Sequence, residues 1–152
     1  MKITMDYEQY EIACEKIRAA NEQLLAEFAG WLRAAGLKEK TISNHVENMD
    51  FYLNEFLLYE DAVEAPAGVS EVNMFLGYWF IRKAMWASEG SIKSNAASLK
   101  KFYSWLAERG QVSAEELAEL KETIKAEMPE WLATVRRYDD PEITDMEEVW
   151  GW

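Results

Sequence analysis

The chain has 152 residues, a single cysteine and a formal charge of −12. Its length suits one domain with a modest core. An apolar share of 49%, with seven Trp, seven Tyr and six Phe, excludes a disordered protein. No apolar run approaches the roughly 20 residues of a membrane span, and Met1 to Asp6 lack the profile of a signal peptide. Cys14 has no internal disulfide partner, which fits a reducing, cytoplasmic compartment and a small buried or half-buried side chain.

The excess negative charge is uneven. Residues 1–35 carry four basic and six acidic groups, and residues 36–110 carry eight and ten. Residues 111–152 carry four and twelve, so two thirds of the excess lies there. A nearly neutral centre is joined to an acidic tail.

The first predicted helix runs from about Asp6 to Ala35. Tyr10, Ile17, Leu24, Phe28, Trp31 and Ala35 recur at helical spacing and form its apolar stripe. Gly30 within it costs about 1 kcal/mol relative to Ala and leaves room for a crossing helix, and Gly36 supplies a left-handed stop. A second helix, about Lys38 to Tyr59, presents Ile42, Val46, Met49, Leu53, Phe56 and Leu57 inward and Thr41, Asn44, His45 and Asn48 outward. Residues 61–68, with Pro66 and Gly68, read as a loop. Ser70 is the expected cap of a third, broadly apolar helix bearing Val72, Phe75, Leu76, Trp79 and Phe80.

Ser88 to Ser91 starts a fourth helix with Ile92, Ala96, Leu99, Phe102, Tyr103 and Leu106 inward. Lys93, Asn95, Lys100 and Lys101 are left towards solvent or a partner, and Gly110 is the stop. Ser113-Ala-Glu-Glu116 is a capping-box signature for a fifth helix to about Glu127. Pro129 opens a further short helix through Tyr138, and an acidic tail begins at Asp139, with Trp150 and Trp152 near its end. The fold class is all-α: a compact bundle of four to five helices over residues 1–128, then a helical extension and tail over 129–152. Trp31, Trp79, Trp86 and Trp105 lie on or near apolar stripes and are assigned to the core.

Little in the chain speaks for catalysis. There is no Gly-rich phosphate loop, no Cys/His metal spacing and no nucleophile motif. The adjacent pairs Glu115-Glu116 and Glu147-Glu148 do not converge on a helix. Tyr138 beside Arg136-Arg137 lacks the other members of an active site. No cofactor or metal is implied, and the expectation is a protein that is not an enzyme.

Two runs carry a resemblance. Leu24-Leu-x-x-Phe-x-x-Trp-Leu-x-x-x-Gly36-Leu-x-x-x-Thr41-Ile-x-x-His45 resembles the opening of the core-binding, SAM-like domain of tyrosine recombinases and phage integrases. Ser91-Ile-x-x-x-x-x-x-Leu99-x-x-Phe102-Tyr-x-Trp-Leu-x-x-x-Gly110 resembles that domain's fourth helix. The likeness spans about residues 20–115. It implies a helical module that grips duplex DNA, with Lys40, Thr41, Asn44 and His45 on the second helix and Ser91, Lys93, Ser94, Asn95, Lys100 and Lys101 on the fourth as the contacting residues. Hydroxyls, amides and backbone N–H groups at helix starts suit phosphates, and lysines add the charge term. Lys38 stands where such domains often carry a small cap, so the second helix start should be poorly capped.

Strand cleavage in that family needs a second domain with a His-x-x-Arg motif and a nucleophilic Tyr. The one histidine here, His45, is succeeded three residues on by Asn48. The resemblance therefore implies a stand-alone DNA-binding module, weak alone, or an accessory to a recombinase. The acidic charge offers an alternative of another class: a protein-interaction module that kept the fold, with Trp150 and Trp152 docking on a partner, or a tail acting as a DNA mimic.

Overall fold

A computed structural model describes residues 6–139; Trp150, Trp152 and the acidic stretch around them lie outside the described residues. Every regular element among the described residues is helical. In order these are α1 (Tyr7–Ala34), α2 (Glu39–Asp50) running on into a π-helix (Phe51–Phe56), a 3-10 helix (Ala65–Ser70), α3 (Val72–Met74), a second π-helix (Phe75–Trp79), α4 (Phe80–Lys83), α5 (Glu89–Glu108) and α6 (Ala114–Asp139). The chain divides into two compact units, Met1–Gly68 and Val69–Trp152.

In the first unit, α1 begins where the Asp6 carboxylate accepts from the Gln9 N–H at 2.8 Å. Its buried face is Cys14, Ile17, Asn21, Leu25, Phe28 and Leu32. The expected stripe is thus off by one residue in its second half: Leu24 and Trp31 are half-buried and Ala35 is exposed. A stripe counted on apolar residues alone passes over Cys14 and Asn21, which define the true face. Asn21 is accommodated because its Nδ2 donates to Asn54 Oδ1 at 2.8 Å, and Asn54 Nδ2 donates to Asp50 Oδ1 at 2.6 Å. Cys14 packs with Ile17 and Leu58, and the Tyr10 hydroxyl donates to the Leu58 carbonyl.

Gly36 (φ +91°) ends α1 as the sequence suggests. Its N–H reaches the Arg33 carbonyl and the Leu37 N–H reaches the Leu32 carbonyl, which is the Schellman arrangement. Gly110 (φ +76°) ends α5 in the same way, with Gly110 bonded to Ala107 and Gln111 to Leu106. Gly30 does not admit a crossing helix: it is exposed, and a Cβ there would meet nothing within 4 Å.

The two π-helices share one cause. A turn closed by i→i+5 hydrogen bonds aligns residues five apart rather than four. Tyr52 and Leu53 recur as Leu57 and Leu58, and Phe75 and Leu76 recur as Phe80 and Ile81; all eight are buried. The Leu57 N–H accordingly bonds the Tyr52 carbonyl, and the Phe80 N–H the Phe75 carbonyl. An α-helix would have turned one member of each doublet out of the core. Ser70 does not cap α3; it lies in the 3-10 helix, and Glu71 holds the N-cap position of α3 without a side-chain hydrogen bond.

The second unit is built on α5 and α6, with α3 and its π-helix packed against α6. Ile92, Ala96, Leu99, Phe102, Tyr103 and Leu106 are buried as expected, joined by Asn95, Ser98 and Trp105. The Ser113 capping box forms: the Ser113 N–H donates to Glu116 Oε1 at 2.9 Å, and the Glu116 N–H to Ser113 Oγ at 3.0 Å. Pro129 does not start a new helix, because α6 continues through it for 26 residues. What outweighs the proline's roughly 3 kcal/mol penalty is the burial just beyond it of Trp131, Thr134 and Val135. The Trp131 indole donates to Asn73 Oδ1 at 2.9 Å and lies over Gly77, where a Cβ would stand 2.8 Å from its Nε1.

Candidate nucleic-acid interface

The two expected clusters fall on different units. In the first unit Lys40, Thr41 and Asn44 are exposed on α2, but His45 is 9% exposed and shares the inner face with Ile42 and Met49. His45 therefore does not line an outer polar face. A 42-45-49 spacing is the core stripe itself, and a histidine within it reads as polar only by residue type.

The start of α2 is also electrostatically unsuited to phosphate. Lys38 caps it without a side-chain hydrogen bond, as its length and charge suggest. The first turn carries Glu39, gripped by Arg33 in a two-pronged pair at 2.8 and 3.1 Å. The Arg33 guanidinium holds the Glu39 carboxyl below its ordinary pKa, so the two charges at this helix start are spent on each other and Arg33 is not left for a phosphate. Residues 38–50 contain two lysines and three acids. A groove of about 530 Å³ along α1 and α2 is rimmed by Glu22, Glu47 and Asp50 against one cation, Arg18. Neither feature suits a polyanion.

The second unit is different. The start of α5 is closed by a serine capping box: the Ser91 N–H donates to Ser88 Oγ at 3.1 Å, and the Ser88 N–H to Ser91 Oγ at 2.8 Å. Ser91 Oγ also donates to the Trp86 carbonyl at 3.2 Å. Asn95 is buried and its Nδ2 donates to the Ser91 carbonyl at 2.8 Å. Ser91 and Asn95 thus hold the helix start together; Asn95 does not face outward as expected.

Lys93, Ser94, Lys100 and Lys101 remain, all exposed. At 3.6 residues per turn the three lysines fall within an arc of roughly 100° and along about 12 Å of axis. Ala97 lies inside that arc and Ser94 borders it. Gly90 and Ser104 continue it at either end; Glu89 borders it about 6 Å before Lys93, and Glu108 falls on it about 10 Å beyond Lys101. No acid occurs between Gly90 and Ala107, and residues 72–107 hold five basic groups against one acid, Glu89. Glu89 is paired with Arg136 of α6 at 3.0 Å. In a chain of net −12, this stretch is a cationic island.

Four residues of the island escape a reading based on apolar stripes. Arg82 and Lys83 close α4, and the connection beyond it holds Met85, 99% exposed, and Trp86, 57% exposed. Trp86 is not core, although its ring meets the edge of Phe80 with centroids 6.3 Å apart. Trp105 is buried as expected, whereas Trp31 and Trp79 are half-buried. The absence of acids between Val72 and Ser88 is the sequence signal that marks Arg82 and Lys83. Nothing in the pattern marks Trp86 as exposed, because its spacing of seven from Trp79 fits a continued helix that in fact stops at Lys83.

Among the described residues no group of three His, Cys, Asp or Glu could hold a metal ion, and no helix is long and apolar enough to cross a membrane. A pocket in the second unit lined by Val72, Asn73, Glu116, Leu120 and Thr123 encloses about 160 Å³, below the roughly 300 Å³ at which small-molecule sites begin. No protein-family model, curated protein or solved structure matches this chain.

Proposed function

We propose that this chain is a nucleic-acid-binding module, contacting the backbone of duplex DNA through the outer face of α5. The observation that carries the reading is the row Lys93, Lys100 and Lys101 on one exposed face, interleaved with small residues and free of acids from Gly90 to Ala107. Small neighbours let a phosphate backbone approach a helix closely, and the lysines supply the counterion-release term that dominates such binding. The resemblance to the core-binding domain of tyrosine recombinases agrees with this use of the helix. The α2 arm of that resemblance lacks the charge to contribute equally.

Three phosphate contacts predict a salt slope near roughly −2.7. Affinity should then fall about 40-fold between roughly 50 and 200 mM salt, from a starting Kd in the micromolar range. Fluorescence anisotropy of a labelled duplex with the full chain tests this. Lys93→Ala/Lys100→Ala/Lys101→Ala should abolish most of the slope, and Lys38→Ala/Lys40→Ala should leave it nearly intact. Binding that is indifferent to salt, or equal in the triple variant, would overturn the reading.

A further inference from the structure

The chain carries an acidic segment and a cationic, apolar knob, and the acidic segment follows α6 directly in the sequence. Arg82 and Lys83 end α4, Met85 and Trp86 stand exposed after it, and Lys93 comes one turn into α5. Arg136, in the last turn of α6, is bound to Glu89 in the first turn of α5 at 3.0 Å. The end of α6 is thereby fastened three residues from Trp86. Residues 140–152 follow α6 in the sequence; they contain five acids, no base, and Trp150 and Trp152.

We infer that residues 140–152 dock in cis on the Met85–Trp86 knob, with their carboxylates facing Arg82, Lys83 and Lys93 and their tryptophans against Met85 and Trp86. Three features converge on it. Thirteen residues reach up to about 45 Å when extended, and they follow the helix whose Arg136 is paired with Glu89. The charges are complementary, and the local positive group is the only stretch of the chain where cations outnumber acids five to one. A tether released beside its site also has an effective concentration in the millimolar range, so contacts too weak to hold a free peptide suffice. An exposed Met–Trp pair held by a capped helix start is the type of surface that takes an aromatic anchor.

Docking of this kind does not rest on the nucleic-acid reading, although Lys93 is common to both surfaces, and it is tested without nucleic acid. A nitroxide is attached at position 149 of the full chain through Val149→Cys, with Cys14→Ser, and backbone amide signals are compared before and after reduction of the label. Docking predicts strong broadening at Met85, Trp86 and Lys93, little at the start of α6, and loss of the effect at high salt, where screening shortens to about 3 Å at 1 M. Arg82→Glu/Lys93→Glu should abolish it at low salt. Uniform weak broadening over the second unit would overturn the inference. So would broadening that appears equally when labelled and isotope-enriched chains are separate molecules, because the occupant would then be a second copy.

Discussion

Gly77→Ala offers the sharpest test of the packing in the second unit. The added Cβ would stand 2.8 Å from Trp131 Nε1, 2.9 Å from its Cδ1 and 3.3 Å from Asn73 Oδ1. The indole is buried and held by its hydrogen bond to Asn73, so it cannot swing aside as a flexible chain end would. Overpacking of this kind costs about 1–3 kcal/mol, and loss of the indole hydrogen bond about 1 kcal/mol more. Alanine's better helix propensity returns about 1 kcal/mol. The net is a destabilisation of about 2 kcal/mol, a fall in Tm of roughly 4–8 °C for a chain of this size. Gly30→Ala is the control, since it has the same chemistry at an exposed helical site where nothing lies within 4 Å. It should stabilise by about 0.5–1 kcal/mol. Thermal and urea unfolding monitored by circular dichroism would report both. Equal stability of the two variants, or a gain in Gly77→Ala, would refute the close approach of Trp131. In a Trp131→Leu background the Gly77→Ala penalty should largely vanish, a coupling that a double-mutant cycle measures.

The same packing and capping contacts predict other outcomes. Pro129→Ala should stabilise the second unit by about 2–3 kcal/mol in urea unfolding, because α6 runs through a residue that removes one hydrogen bond and crowds the preceding turn. His45→Ala should lower stability by about 2 kcal/mol, as truncation of a buried side chain does, yet leave DNA affinity unchanged in the anisotropy assay. Ser88→Ala should cost about 1 kcal/mol through loss of the cap on α5. Arg33 holds the Glu39 carboxyl below its ordinary pKa, so the pair contributes stability above the unfolded carboxylate value near pH 4.3 and loses it as pH falls through the lower folded value. Arg33→Ala should therefore lose less stability than the parent on titration from about pH 5 to pH 3, by a small margin because both groups are exposed.

The helices that sequence patterning locates best are those with local punctuation. Asp6, the Ser88 and Ser113 boxes, Gly36 and Gly110 all act where their chemistry places them, because caps and left-handed stops are decided within a few residues. The features that escape are decided over longer distances. The π-helices arise from apolar doublets five residues apart, a period that a search at three, four and seven does not detect. The passage of α6 through Pro129 is decided by Trp131 reaching Asn73, 58 residues earlier in the chain. Gly77 and Gly30 are both glycines inside helical patterns, and only the tertiary contact of Gly77 with Trp131 tells them apart.

The candidate site shows the same division. Residue type alone groups His45 and Asn95 with the outward-facing polar residues, yet both sit at core positions of their helices and serve the fold. A polar side chain at a core spacing is better read as a partner for the backbone or for another buried group, as Asn95 is for Ser91 and Asn21 for Asn54. Net charge misleads in the opposite direction. An overall −12 argues against a polyanion partner, but Coulomb interactions are screened beyond about 10 Å at 0.1 M salt. A phosphate at α5 therefore responds first to the charges of α5 itself, Lys93, Lys100 and Lys101. Within the second unit the inferred docking of residues 140–152 would bring further acids inside that distance, next to the Arg136–Glu89 pair. If that docking holds, DNA phosphate and the acidic segment are two anionic candidates that share Lys93. The order in which they bind can be read from the salt at which each is lost.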